Sequence, residues 1–448
     1  MSHLGLAKPR ARESVGRVAH KLSGAIALLL LLLAPQYTGA YSGRVIDAST
    51  RKPVEGAFVT LNESVVRTDE NGVFQVDGSG NKIGARAYGY ARNEVATTDL
   101  KTGAQEIHLT PLMPKALYLS FFGIGHTGLR QSALKLVKDT ELNALVIDVK
   151  GDRGSIAYKS SIPLAAEVGA QDPITIKDVN GLIRSLRASG IYTIARIVVF
   201  KDSPLALARP DLAVKNRSGA IFRDREHLAW TDPFEKEVWN YNIGVALEAA
   251  GAGFDEIQFD YVRFPDAPGL VFSMANTEKN RIAAISGFLA EARKRLVPYN
   301  VFLAADMFGY VNWNLDDTHI GQKLEELVPI VDYVSPMLYP SCFQFGIPGY
   351  RNPVQHPYEI VYLSLKRARD RTDVPSIRFR PWLQAFRDYA FDRRPFKGKE
   401  IRAQIAAAET FGSDGWMLWN PNNVYSEEGL KKAGSEVPLV GGACFQDY

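Results

Sequence analysis

The sequence holds few of the residues on which stapled or metal-held folds depend. Only two cysteines occur in 448 residues, Cys342 and Cys444, and their separation gives neither a disulfide framework nor a zinc motif. The seven histidines are scattered, and His126, His227, His319 and His356 show no metal-ligand spacing, so no metal is expected. Charge of one sign is scarce as well. The formal charge is +4, but residues 1–40 carry five basic side chains against the single acid Glu13, which leaves 48 basic and 48 acidic residues beyond them. A neutral body has no electrostatic footprint for nucleic acid, and none is expected as a partner.

No apolar run reaches bilayer length. The longest, Leu22–Ala34, has thirteen residues, too few to span comfortably. A basic region to Lys21 precedes it, and Pro35 and then Thr38-Gly39-Ala40 follow it with the small-x-small pattern of a signal-peptidase site. Residues 1–40 thus read as an export signal cleaved near Ala40, with an uncleaved membrane anchor as the alternative. The protein is expected in the periplasm or outside the cell, touching membrane only through that segment if it is retained.

What is present is an ordinary apolar fraction, 46%, enough for one large domain and a small one. In residues 41–112 the short alternating runs Gly43–Asp47, Gly56–Leu61 and Gly72–Val76 are separated by turn residues, and they predict a small all-β sandwich. Gly43-Arg-Val45, Pro53 to Val59, Thr68 to Phe74 and Gly89-Tyr90 follow one another in the order of the carboxypeptidase regulatory-like (transthyretin-like) domain, which this segment resembles. That resemblance implies a non-catalytic module, either a spacer or a carbohydrate-facing accessory.

From Lys115 the pattern changes. Eight short apolar runs recur at Ala116–Ile124, Ala144–Lys150, Tyr192–Phe200, Glu256–Val262, Val301–Tyr310, Tyr333–Pro340, Phe379–Phe386 and Gly415–Pro421, with helical-period segments between them. Asp232-Pro-Phe-Glu235 carries helix-start signals, and Gly190, Gly251 and Gly412 stand where helices should stop. Eightfold strand–helix alternation over residues 115–436 predicts a (β/α)8 TIM barrel of the α/β class, with residues 437–448 as a tail. A doubly wound open sheet is the rival, but no Gly-x-Gly-x-x-Gly follows the first strand, and no cofactor is expected.

Strand residues alternate sides, so each run can be split into two faces. The faces that hold the polar residues bring together Asp148, Lys150, Arg196, Gln258, Asp260, Asp306, Ser335, Tyr339, Arg380, Trp382, Gln384 and Asn420. Buried charge costs several kcal/mol when unpaired, so this convergence points either to a site or to an ionic plug built from Arg196, Arg380 and the acids. Asp260 and Asp306, at matching heights on neighbouring strands, suit the two-carboxyl chemistry of glycosidic cleavage, with Asp260 as nucleophile or base and Asp306 as acid. Asp148 is a third candidate. Arg196, Tyr261 and Arg263 would split the acids' protonation, and Lys150, Tyr339, Trp382, Gln384, Trp419 and Asn420 would line the substrate. All six tryptophans fall after Lys115, and aromatic faces suit the C–H faces of sugars. Long loops at Lys201–Thr231, Asp266–Thr277 and Ser341–Pro357 are positioned to close over a substrate.

Phe254-Asp-Glu-Ile-Gln-Phe-Asp-Tyr-Val-Arg-Phe-Pro265, Ala305-Asp-Met-Phe-Gly309, Tyr333-Val-Ser-Pro-Met-Leu-Tyr-Pro340 and Trp416-Met-Leu-Trp-Asn420 resemble a glycoside hydrolase family defined as a domain of unknown function, with an alpha-amylase-like TIM barrel. The resemblance covers about Lys115 to Gly429. It implies a nucleophilic role for Asp260 at the end of the fourth strand. The fifth-strand acid of amylase-like barrels is usually Glu, where this chain has Asp306, so Asp148 and Asp266 stay open as the acid. The expectation is an exported hydrolase of polysaccharide or oligosaccharide. A non-catalytic envelope glycan-binding protein on the same barrel is the alternative.

Overall fold

The computed structural model describes residues 39–100 and 106–435. Residues 1–38 of the expected export segment and Cys444 lie outside them, whereas Gly39 and Ala40 already pair with Gly78 and Asp77 in a strand; among the described residues Cys342 forms no disulfide. Among the described residues no helix is long and apolar enough to cross a membrane.

Eight parallel strands close into a barrel: Lys115–Leu119, Ala144–Lys150, Tyr192–Val198, Glu256–Asp260, Phe302–Phe308, Tyr333–Met337, Trp382–Gln384 and Trp416–Trp419. The first pairs with both the second and the eighth, Ala116 lying opposite Ala144 on one side and Met417 on the other. Every apolar run identified in the sequence contains one of these strands. Runs such as Ala144-Leu-Val-Ile-Asp-Val-Lys150 are buried on both faces, as a parallel strand between a packed interior and covering helices requires. Outside run helices including Thr127–Asp139, Val179–Ala188, Lys236–Ala252, Glu278–Leu296, Pro357–Thr372 and Gly398–Phe411.

Helix ends follow local chemistry, with two departures from expectation. Asp178 and Thr277 accept the amides of Gly181 and Asn280 as N-caps, and Gly412, at φ +82°, ends its helix in the left-handed conformation. Asp232 does not cap the third long helix. Its carboxylate accepts the amides of Phe234 and Ser273, tying a turn to a neighbouring loop, and the helix begins at Lys236. That helix then runs through Gly251 and stops at Gly253, φ +102°.

The N-terminal residues form two four-stranded sheets, in line with the expected all-β unit. Val45, Val59, Phe74, Ile83 and Ile107 fill the core between them. This unit sits against the N-terminal end of the barrel. Arg92 reaches the carbonyls of Gly253, Phe254 and Tyr299 and the carboxylate of Asp255. Tyr88 inserts edge-on against Tyr333, 5.7 Å between rings, at the start of the sixth strand.

Candidate active site at the barrel mouth

The interior is layered by strand register. At the floor, Arg380 lies 4.0 Å over the ring of Tyr333 and pairs with Glu256 and Asp414, the last at 3.0 Å. Above them Gln258 donates to Ser335 Oγ at 3.1 Å. The upper layer comes from strand ends. Asp148 pairs in register with Arg196, Val198 with Asp260, and Gln258 with Ala304, a register that sets Asp260 level with Asp306.

Arg196 is the centre of that layer. Its Nη1 donates to Asp148 Oδ1 at 2.7 Å, its Nε to Asp260 Oδ2 at 2.9 Å, and its Nη2 to Asp152 Oδ1 at 2.9 Å. Oδ2 of Asp306 lies 4.0 Å from the same Nε. The Oδ2 atoms of Asp260 and Asp306 therefore both lie within 4.0 Å of one nitrogen. The guanidinium lies 4.9 Å below the ring of Trp419, which stacks on Tyr118 at 3.9 Å. Tyr118 donates to Asp148 Oδ2 at 2.7 Å, and the amide of Phe121 donates to the same oxygen at 3.1 Å.

Two acids of this layer are pushed toward the neutral form. Burial, and then the nearby Asp260 charge, push Asp306 well above the ordinary carboxyl range, and Arg196 only partly opposes them. Its Oδ1 accepts the indole N–H of Trp382 at 2.7 Å, and its Oδ2 is buried with no hydrogen-bond partner. Burial pushes Asp148 up to about 6 against the pull of Arg196. Arg196 itself loses charge stability by burial but is held well above its usual value by Asp260, Asp148 and Asp152. The backbone is strained at the same place. Tyr261, directly after Asp260, has φ +47°, an uncommon conformation for a bulky residue and one that collects at functional sites.

The structure brings Asp148, Arg196, Asp260, Asp306, Tyr339, Trp382 and Trp419 to this mouth and keeps other expected residues out of direct reach. Lys150 is the clear correction. The ladder shifts between Asp148 and Lys150, which turns Lys150 to the outside of the barrel. There Nζ meets Asp202 at 2.7 Å, Asn242 Oδ1 at 3.0 Å and the carbonyl of Val198 at 2.8 Å, wholly buried. Gln384 is spent on the backbone and hydroxyl of Ser341, and Asn420 on the carbonyls of Ala385 and Val424, so both brace loops. Tyr261 and Arg263 stack beside Trp230 at the rim, with Lys201 4.7 Å over Tyr261. Arg380, offered as part of a plug, is one, but at the floor. Tryptophans are mostly interior: Trp230, Trp382 and Trp416 are buried, while the exposed aromatics at and after the strand ends are Phe122, Phe308, Phe345 and Tyr389. Two members of the mouth were not foreseen. Tyr118 lies within the first apolar run, and Asp152 stands in the turn signal Gly151-Asp-Arg-Gly154.

The family model DUF4015, described as a putative glycosyl hydrolase domain, matches residues 116–425. The chain belongs to that family. This glycosyl hydrolase domain takes in all eight strands and the whole mouth, and it leaves the N-terminal sheets outside. Among solved structures, a hypothetical protein from Ruminiclostridium thermocellum is 40% identical, covering 42% of this chain and 96% of its own, with a TM-score of 0.39. The PgaB (BpsB) glycoside hydrolase domain from Bordetella bronchiseptica is 15% identical, covering 70% of this chain and 95% of its own, with a TM-score of 0.52. At that identity the likeness concerns the fold alone. A class V chitinase from Pseudomonas fluorescens aligns at 15% identity over 72% of this chain and 97% of its own, with a TM-score of 0.41. No curated protein matches the chain.

Proposed function

We propose that this glycosyl hydrolase domain cleaves glycosidic bonds of a polysaccharide, with Asp260 as the ionised carboxylate and Asp306 as the carboxyl that holds a proton. One observation carries the reading. Asp260 is bonded to Arg196, whereas Asp306, held beside the same guanidinium, keeps a buried oxygen with no partner and a strongly raised pKa. A carboxyl group pushed toward its neutral form beside a second one held by an arginine is what glycosidic cleavage asks of its acid pair. Exposed Phe122, Phe308, Phe345 and Tyr389 at and beyond the strand ends offer faces for sugar rings. The exported setting expected from residues 1–40, and a regulatory-like role for the N-terminal sheets as a non-catalytic module, complete the proposal.

A second reading is a glycan-binding protein without turnover. It is favoured by Arg196 itself, which fills the space between acids that are nearly closed to solvent. The deciding experiment follows reducing ends released from starch, cellulose, xylan, chitin and peptidoglycan. Turnover of one of these by the wild type, lost in both Asp260→Asn and Asp306→Asn, supports hydrolysis. Retained binding without any turnover in the wild type supports the second reading.

A further inference from the structure

The mouth holds two acids that this chemistry has not used, Asp148 and Asp152, and only Asp152 reaches solvent. The Asp152 side chain is 37% exposed, whereas Asp148, Asp260 and Asp306 are each buried. It stands in a turn closed by the amide of Gly154 donating to the carbonyl of Gly151 at 2.8 Å. Space fixes that turn on both sides. A Cβ on Gly151 would come within 2.9 Å of Phe121 and 3.4 Å of Asp148 Oδ2, and one on Gly154, φ +88°, would meet Asp202 at 2.5 Å. From this seat Asp152 accepts from Nη2 of Arg196, the same nitrogen that bonds Asp260. The next residue, Arg153, joins Ser155, Ser203, Leu207 and Leu228 in lining an open groove of about 540 Å³. The buried, unpartnered Oδ2 of Asp306 lies 4.0 Å from Nε of the same guanidinium.

We propose that Asp152 is a catalytic base of the mouth, the group that accepts the proton of the attacking water. The proposal rests on the hydrolase reading above. In the step, the bond from the anomeric carbon to the leaving oxygen breaks with its electron pair going to that oxygen, which takes the proton held by Asp306. A lone pair of water forms the new carbon–oxygen bond, and the water's proton passes to Asp152. Solvent then removes the proton from Asp152 and returns one to Asp306, so the cycle closes without any other reactant. Asp260 faces the positive charge that develops at the carbon.

The test uses the full chain on whichever of starch, cellulose, xylan, chitin and peptidoglycan the wild type hydrolyses. Asp152→Asn is expected to lower kcat by about 10²–10⁴-fold with KM little changed, and to remove the acid limb of the pH profile of kcat/KM. Asp152→Glu is expected to restore part of the rate. Sodium azide added to Asp152→Ala is expected to restore turnover and to yield a glycosyl azide. Near-wild-type kcat with the acid limb intact in Asp152→Asn, beside an inactive Asp260→Asn, overturns the role of Asp152 and leaves the hydrolase reading standing. A wild type that hydrolyses none of the five overturns both.

Discussion

Asp306 gives one oxygen to Trp382 and leaves the other without a partner, so its surroundings are matched to a neutral carboxyl and not to a carboxylate. Trp382→Phe removes the donor from Oδ1 while keeping most of the ring, and should cost about 1–3 kcal/mol of stability in urea unfolding. An unchanged midpoint would mean that the bond contributes nothing. Asp148 sets a pH dependence. Its folded pKa of about 6 lies above the unfolded value of roughly 3.9, so its stabilising share is full below the lower value and fades as pH rises through the upper one. The stability margin of wild type over Asp148→Asn should therefore be widest near pH 4 and narrow through pH 6. A margin that grows with pH would show that Asp148 ionises more readily folded than unfolded.

At the scale of elements, the second strand carries the main lesson. Strict alternation puts Lys150 on the same side as Asp148, and it would be there if the strand were regular. One bulge reverses it, and nothing in Asp-Val-Lys announces a bulge, because the cause is pairing with a neighbouring strand. Outside the barrel, Lys150 and Asp202 form a fully buried pair. Lys150→Met removes the cation from a buried carboxylate that keeps only the Leu205 amide on Oδ1, and should cost about 3–5 kcal/mol, read as a lowered midpoint in urea. A loss below about 1 kcal/mol would show that the pair contributes little to stability. The rest of the barrel was open to reading for physical reasons. Parallel strands buried on both faces leave continuous apolar runs, and their acids stand where alternation puts them, so Asp148, Asp260 and Asp306 could be named from the chain. Asp152 and Tyr118 could not. Asp152 depends on a turn folding back onto the mouth, and Tyr118 passes for one more core aromatic until its hydroxyl meets Asp148. The helix that starts at Lys236 rather than at Asp232 was hidden for a similar reason, since Ser273 competes for the capping carboxylate.

Across the whole molecule, the N-terminal sheets and the barrel share a floor. Tyr88 packs with Tyr333 and Phe302 among the interior side chains, Arg86 donates to Asn300 at 3.2 Å, and Arg92 gathers three barrel carbonyls and Asp255. Such a buried, polar and specific contact couples the two units, and the full chain should melt as one transition in calorimetry. Arg92→Ala should split that transition in two, with the earlier one belonging to the sheets. A single unshifted peak would show that the contact adds no cooperativity. The sheets meet the ends of the barrel strands opposite to those that hold Asp260 and Asp306. The placement also fixes an orientation. Whatever grips the sheets holds the barrel by its base, like a cup on a stem, and leaves the opening facing away from the grip.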